Sequence, residues 1–183
     1  MSTQPLRLPR MVESDPRFSG IIHMLTADTR LLWPGGEVAV PVITLDGALA
    51  TALRHACSIG TIVRGLEDAR RRLADESRGL VLADRRSGVQ RGSRVSRLLL
   101  VTQDGSDRFY RAVESLVRKH GPRVLAARLE TDAATLGALL FGPGRIARLV
   151  MIERKVALGE VLLALAEQDG QAASGSAPDT NRS

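Results

Sequence analysis

Two carboxylates in a short turn come closest, by residue type and spacing, to a metal or catalytic site in this chain. Asp104 and Asp107 stand in the turn "DGSD", directly after the apolar run "RLLLVT" and directly before a helical stretch. In open α/β sheets ligands bind at the carboxyl ends of strands, and amides at a helix N-terminus can hold an anion. Two carboxylates would repel a phosphate unless a metal ion lay between them. The turn is therefore predicted to be either a metal site or only a turn with a helix cap.

The histidines and the cysteine do not form a reactive pair or a metal-ligand pattern. His55 and Cys57 lie two residues apart in a predicted helix, where side chains at this spacing point to different faces. His23 and His120 have no neighbours at metal-ligand spacing. The sequence thus predicts no cofactor and favours a non-enzymatic protein. An enzyme stays an open alternative, because catalytic groups converge only in the folded chain.

The arginine-rich segment at 84–97 is the strongest candidate for binding. Its sequence, "DRRSGVQRGSRVSR", can follow a phosphate backbone and fold on it, or it can be a solvated linker. A later segment, "FGPGR" at 141–145, lacks the spacing of a nucleotide-binding loop and leads into a strand, so a cationic surface loop is predicted there. The predicted nucleic-acid-binding residues are Arg85, Arg86, Gln90, Arg91, Arg94, Arg97 and Arg145.

The charge balance of the chain also favours an anionic partner. The 183 residues include 26 Lys and Arg against 20 Asp and Glu, which gives a net charge of +6. Nearly all of the basic residues are arginine, whose guanidinium binds phosphates through two parallel hydrogen bonds and stacks on bases. A GC-rich genome would produce the same excess of arginine, so charge alone leaves both explanations open.

Cysteine content and hydropathy indicate the cellular compartment in which the protein is expected. A single cysteine, Cys57, excludes an internal disulfide framework and fits a reducing cytoplasm. No apolar run reaches the roughly 18 residues that a membrane-spanning helix needs. The polar, proline-containing N-terminus has no apolar signal-peptide core. A cytoplasmic protein without a membrane partner is expected.

Composition along the chain predicts five segments. Residues 1–18 are expected to form a flexible arm, and 19–83 a small α+β region in which "GIIHMLTADTRLLW" contains two short strands. The stretch 84–97 is predicted to be a basic linker or loop because it has almost no apolar residue. An α/β domain is predicted over 98–167, and a disordered tail over 168–183.

The predicted α/β domain alternates strands and helices. The strands "RLLLVT", "RVLAARL" and "RIARLVMIE" are separated by helical patterns, which predicts a mostly parallel sheet in a three-layer α/β/α arrangement. The N-terminal half is predicted to be smaller and irregular. In the helix that follows Ser106, one apolar stripe runs through Phe109, Val113, Leu116 and Val117, so Phe109 is predicted to be buried.

The C-terminal half resembles a known family. The stretch from Arg97 to Ile152, with the turn Asp104-Gly105-Ser106 and the pair Leu136-Gly137, is similar to the second half of the kink-turn-binding ribosomal (Pelota-type RNA-binding) proteins. Upstream, "GGEVAVPVITLDGALATALRHA" and "LVLADRRSGVQRG" resemble bacterial proteins in which a YlxR-type domain precedes such a module. The resemblance is specific over about 98–152.

The resemblance implies a structured RNA as the partner and an association with the ribosome. In this family a Gly-x-Asn-Glu-type segment contacts RNA and opens a helix shortly before the first matched strand; "SGVQRGSRVSR" occupies that place here. Further contacts are implied for the loop before Arg97 and for the loop from Gly142 to Arg145. The predicted function is non-enzymatic recognition of structured RNA. The alternative is a protein-interaction or regulatory α/β module without nucleic acid.

Overall fold

Helices pack on both faces of one six-stranded sheet. The computed structural model describes residues 5–88 and 93–174. The elements within these ranges, in chain order, are α1 (Arg10–Glu13), α2 (Phe18–Ala27), β1 (Thr29–Leu31), β2 (Ala39–Ile43), α3 (Gly47–Ser58), β3 (Ile62–Arg64), α4 (Leu66–Ser87), β4 (Arg97–Val101), α5 (Asp107–His120), β5 (Val124–Leu129), α6 (Ala133–Phe141), β6 (Leu149–Ile152) and α7 (Lys155–Ser174).

The strand order is β1-β2-β5-β4-β6-β3. The three central strands β2, β5 and β4 are parallel, whereas β1, β6 and β3 each pair antiparallel with a neighbour. The α/β class with helices on both faces of the sheet is confirmed. The sheet combines strands from the predicted N-terminal region with those of the predicted α/β domain. We call the end of the sheet where β2, β4 and β5 finish the carboxyl edge, and the opposite end the amino edge.

Strand β6 departs from the expected parallel direction because of the segment before it. After α6 the chain turns back along that helix, and the amide of Ala147 donates to the carbonyl of Ala133, the first residue of α6. Residue 147 therefore lies at the carboxyl edge, where β5 has just ended. Strand β6 starts from this edge and must run antiparallel to β4.

The two faces of β4 explain its continuous apolar run. Leu98 and Leu100 belong to a core cluster that also includes residues of α1, α2, α3, α6 and α7. Leu99 and Val101 belong to a second cluster, formed with α4 and α5. Because successive side chains of a strand point to opposite faces, a strand covered on both sides needs apolar residues at every position.

Both predicted flexible ends are corrected where the structure describes them. In the predicted arm, Leu8 and Val12 are fully buried, and the amide of Val95 donates to the carbonyl of Arg7. The predicted pair of short strands at 20–33 is instead α2 followed by β1, because Ile21 and Leu25 are buried one helical turn apart. Helix α7 continues to Ser174, so only 175–183 of the predicted tail lie outside the described residues.

Helix α4 also corrects the predicted basic linker. It extends to Ser87 and ends at Gly88, whose φ is 64°, so Arg85 and Arg86 lie in the last helical turn. A helix of 22 residues is about 33 Å long, whereas a five-residue strand spans about 16 Å. The middle of α4 meets the first residue of β4, so the second half of α4 projects beyond the amino edge.

The buried stripe of α5 is displaced from the predicted one. Tyr110, at 5% exposure, occupies the buried position, whereas Phe109 is half-buried and packs beside it. The Tyr110 hydroxyl donates to the carbonyl of Thr102 at 2.7 Å and accepts from the amide of Gly105 at 3.0 Å. This aromatic ring therefore closes the turn between β4 and α5, which the apolar spacing alone did not indicate. The burial predicted for Phe109 belongs to Tyr110 instead, so Tyr110→Ala is expected to destabilise the fold more than Phe109→Ala.

None of the helices in the described ranges has an apolar stretch long enough to cross a bilayer.

Candidate nucleic-acid interface

The predicted binding residues are divided between the two edges of the sheet. Arg94 and Arg97 lie at the amino edge, before and at the start of β4, and exposed Arg85 and Arg86 lie on the projecting end of α4. Arg145 lies near the carboxyl edge, in the segment that leads into β6. The length of β4, about 16 Å, separates the edges. Gln90 and Arg91 lie outside the described residues.

Two of the predicted arginines are bound to carboxylates within the fold. Arg94 Nη1 donates to the carbonyl of Leu8 at 2.8 Å and to Glu13 Oε2 at 2.5 Å. Arg97 donates to Glu76 Oε1 from Nε at 3.1 Å and from Nη2 at 2.7 Å. Both side chains are less than one-third exposed. Their hydrogen bonds hold the N-terminal segment and α4 against the start of β4.

Glu76 is the centre of this network. Its second oxygen accepts from Arg123 Nη1 at 2.6 Å, and the Arg123 side chain is only 9% exposed. Arg123 Nη2 also donates to Ser77 Oγ at 3.2 Å. The same Ser77 oxygen lies 3.0 Å from His120 Nδ1. Burial, and then the positive charge of Arg123, hold the pKa of His120 below its ordinary value. Sequence reasoning missed the network because its members are separated by 21 to 47 residues.

At the carboxyl edge, residues 142–148 form a loop whose shape depends on three glycines. Gly142 has a φ of 98° and Gly144 a φ of 75°, conformations that other residues rarely adopt. Gly137 of α6 lies under this loop, and a Cβ there would collide with the backbone of Arg145 and Ile146. In the Leu136-Gly137 pair, Leu136 places its side chain in the core, and Gly137 leaves the space in which the loop backbone lies.

Backbone groups fix the 142–148 loop along its second half. The amide of Thr102 donates to the carbonyl of Arg148 at 3.0 Å, next to the Ala147–Ala133 bond. Arg64 Nη2 donates to the carbonyl of Ile146 at 2.6 Å, while its guanidinium carbon lies 4.9 Å from the centre of the Phe141 ring. The loop is therefore held by β4, α6 and the end of β3.

Exposed cationic side chains lie on this loop and on the end of β3 beside it. Arg64, Arg145 and Arg148 are exposed, and Ile146 between the last two is 51% exposed. Within residues 5–88 and 93–174, no carboxylate is within ion-pair distance of these three arginines. We call these four residues the carboxyl-edge basic surface. Guanidinium groups at fixed positions can bind phosphate oxygens, and Ile146 adds an apolar contact.

The Asp-Gly-Ser-Asp turn joins two helices to the sheet. Asp104 accepts from Thr102 Oγ1 at 2.7 Å and from the amide of Ala133, at the start of α6, at 3.1 Å. Burial raises the pKa of Asp104, but these hydrogen bonds, together with the positive charge of Arg148, outweigh it and hold the pKa below its ordinary value. Ser106 caps α5 by accepting from the amide of Phe109. No group of three His, Cys, Asp or Glu side chains in the described part of the chain is placed to hold a metal ion.

The start of helix α4 lies near the 142–148 loop. Helix α4 opens at Leu66 after Gly65, whose φ is 89° and whose amide donates to the carbonyl of Leu149. The segment from Gly65 to Asp68 therefore lies at the same edge of the sheet as the 142–148 loop. Its carboxylates pair with Arg70 and Arg71.

Comparisons with known proteins give distant similarities only. No protein-family model and no curated protein sequence matches the chain. Among solved structures, a protein of unknown function from Bacillus halodurans C has 14% identity and a TM-score of 0.43 over 66% of this chain and 97% of its own. The Giardia lamblia 15.5kD RNA binding protein has 16% identity and a TM-score of 0.43 over 68% of this chain and 86% of its own. Similarities of this size do not establish a family.

Proposed function

We propose that this protein is a non-enzymatic RNA-binding protein that contacts structured RNA through the carboxyl-edge basic surface. The observation that carries the proposal is a loop with a fixed backbone that presents Arg145 and Arg148 beside Arg64, with no ion-pair partner for any of them in the described part of the chain. Arg145 and Arg148 keep their donors for phosphate, and Arg64, one of whose donors is bonded to the carbonyl of Ile146, adds positive charge beside them. A loop that is already ordered loses little conformational entropy when it binds.

The arrangement suits recognition of shape more than of base sequence. Double-stranded RNA is recognised mainly through its backbone and its hydroxyl groups, because its major groove is too narrow for side chains. Three arginines and one isoleucine offer phosphate contacts and a small apolar contact, with no set of amide side chains to read base edges. Structured RNA is therefore a better fit than a defined base sequence.

The acidic start of α4 is compatible with this proposal. Glu67 Oε1 lies 3.1 Å from Arg70 Nη1, and Asp68 Oδ1 lies 3.3 Å from Arg71 Nη2. These pairs cancel most of the charge that the two carboxylates would otherwise present to a phosphate. The resemblance to the kink-turn-binding family implies contacts from the 142–145 loop, which belongs to this edge, and from the loop before Arg97, which lies at the amino edge. An association with the ribosome is part of the same proposal.

The proposal is tested with a double variant and a matched control. An RNA hairpin with an asymmetric internal loop is titrated against the wild type, against Arg145→Ala/Arg148→Ala, and against Arg17→Ala/Arg30→Ala. The control pair removes the same charge from two exposed arginines that are bound to aspartates elsewhere. We expect the first variant to bind at least tenfold more weakly. The slope of log affinity against log salt should become shallower by about 0.7–0.9 for each lost phosphate contact.

Two results would overturn the proposal. If the wild type does not bind the hairpin, or total cellular RNA, at low salt, the protein is not an RNA-binding protein of this kind. If both double variants lose affinity equally, binding depends on net charge and not on the carboxyl-edge basic surface. Circular dichroism of each variant establishes that the fold is intact.

A further inference from the structure

The projecting end of α4 carries apolar residues that the rest of the described chain leaves uncovered. Leu80, Val81 and Leu82 are consecutive in the helix, and they follow Ser77, which bonds to His120 and Arg123. Val81 is 50% exposed and Leu82 is 54% exposed. Single exposed apolar residues are ordinary, and consecutive residues of a helix point to different faces, so of these three only Leu80 lines the groove described next.

A groove of about 900 Å³ opens beside this helix end at the amino edge. One wall is formed by α1 and the residue before it, the other by Gly79 and Leu80 of α4, and the floor by residues 93–97. Met11 and Leu80 provide accessible apolar surface, and Val95 is buried beneath them. Met11 itself lies over Gly159 of α7, where a Cβ would be 2.6 Å from its sulfur, so this wall is firmly seated.

The rim of the groove is positively charged. Arg10 and Lys155 line it, are exposed, and form no ion pair with the described residues. Arg85 and Arg86 add two cations on the last turn of α4. The carboxylates nearby do not offset this charge, because Glu13 and Glu76 are already bonded to arginines of the fold.

We propose that this groove binds a short acidic segment of a partner protein, with apolar side chains seated between Met11 and Leu80. Its Asp and Glu residues would then face Arg10 and Lys155. Apolar anchors in a groove with complementary charges around them are the usual basis of peptide recognition. A phosphate backbone has no apolar group to fill the space beside Leu80, and the inner arginines are held by Glu76 and Glu13, so a protein segment fits better than RNA. This inference does not depend on the proposed RNA-binding function.

A displayed library of random 16-residue peptides tests the proposal without knowledge of the partner. The full chain is used as bait, in parallel with Leu80→Asp and Arg10→Glu/Lys155→Glu. Leu31→Asp serves as the control for the first variant, since Leu31 is a 44% exposed apolar residue on the lateral strand β1. Arg17→Glu/Arg30→Glu serves as the control for Arg10→Glu/Lys155→Glu. Selected peptides are then resynthesised, and their affinity is measured by fluorescence anisotropy.

The wild type should enrich peptides that combine Asp or Glu with large apolar residues. These peptides should bind both groove variants at least tenfold more weakly, and the two control variants as tightly as the wild type. Should Leu80→Asp fail to fold, the charge-reversal variant decides, because both of its residues are exposed. Absence of enrichment, enrichment of peptides without acidic residues, or binding that both groove variants retain would overturn the proposal. Displacement of the peptides by hairpin RNA, with the same loss in both variants, would assign the groove to nucleic acid and overturn it too.

Discussion

The arginines at the two edges of the sheet have different partners. At the amino edge Arg94, Arg97 and Arg123 are each bonded to a carboxylate. At the carboxyl edge Arg64 donates to a backbone carbonyl, while Arg145 and Arg148 are exposed on a loop that backbone bonds fix. What an arginine does in this protein is decided by the carboxylates within reach of it, and less by how many arginines surround it in sequence.

Burial explains why the two edges differ. Arg123 is almost completely removed from water, so its charge needs a compensating carboxylate, and Glu76 supplies it to two arginines at once. The arginines of the 142–148 loop remain solvated and need no such partner. The buried and half-buried arginines of the amino edge therefore stabilise the fold, whereas Arg145 and Arg148 at the carboxyl edge are available to a ligand.

The largest effect is expected from Glu76→Ala, which removes the carboxylate shared by Arg97 and Arg123. Two partly buried guanidinium groups would lose their compensating charge, and the free energy of unfolding should fall by about 3 kcal/mol. Urea denaturation measures it. Glu67→Ala removes a carboxylate from an exposed pair on the same helix and should change stability by less than about 0.5 kcal/mol. Equal, small losses in both variants would mean that the amino-edge network does not stabilise the fold.

Gly137→Ala should have the next largest effect on stability, and this effect should arise at the carboxyl edge. The added methyl group would collide with the loop backbone at Arg145, so the loop must move, at a cost of about 1–3 kcal/mol. Affinity for the RNA hairpin should fall with it. Gly79→Ala is the control, because a Cβ there meets nothing within 4 Å and α4 should be stabilised by about 0.5–1 kcal/mol. An unchanged hairpin affinity in a folded Gly137→Ala protein would separate the loop from RNA binding.

Acid should weaken the amino edge through His120. The pKa of the folded His120 lies below its ordinary value of 6.5, so the unfolded chain binds a proton at higher pH than the folded chain does. This contribution to stability is complete above pH 6.5 and is lost as the pH falls below it. Melting temperatures from pH 8 to pH 5 should decline less in His120→Asn, which can keep a bond to Ser77. Parallel curves for the two proteins would rule out this role for His120.

The smallest effect on stability is expected for Arg85→Ala/Arg86→Ala. Both residues are exposed in the last turn of a projecting helix, so the free energy of unfolding should change by less than about 0.5 kcal/mol. Hairpin affinity should stay within about twofold of the wild type. At the same ionic strength, the variant should bind an acidic peptide more weakly than the wild type does. A loss of hairpin binding equal to that of Arg145→Ala/Arg148→Ala would extend the RNA surface to the amino edge.

Local sequence was sufficient for much of the fold. Alternating strands and helices identified the α/β class, and Ser106 caps the helix that the sequence places directly after it. Such features depend on residues within one or two turns of each other, so they can be read from the chain. The glycine and proline residues before Arg145 likewise indicated a turn, and the structure has its positive-φ glycines there.

The boundaries of α2 and α4 and the burial in α5 depended on distant partners. Tyr110, and not Phe109, is buried because its hydroxyl reaches the carbonyl of Thr102 across the turn. The last turn of α4 looked like a linker because Arg85 and Arg86 have polar neighbours, although a helix end that projects into solvent needs no apolar stripe.

The sequence by itself determined that this is a basic α/β protein with a cationic, glycine-containing loop before its last strand. Only the tertiary structure decided which arginines are available to a ligand. Arg97 and Glu76 are 21 residues apart in the chain but 2.7 Å apart in space, and Arg94 meets Glu13 from 81 residues away. Ion pairing falls off within a few ångströms, whereas sequence distance carries no information about which carboxylate the fold will bring that close.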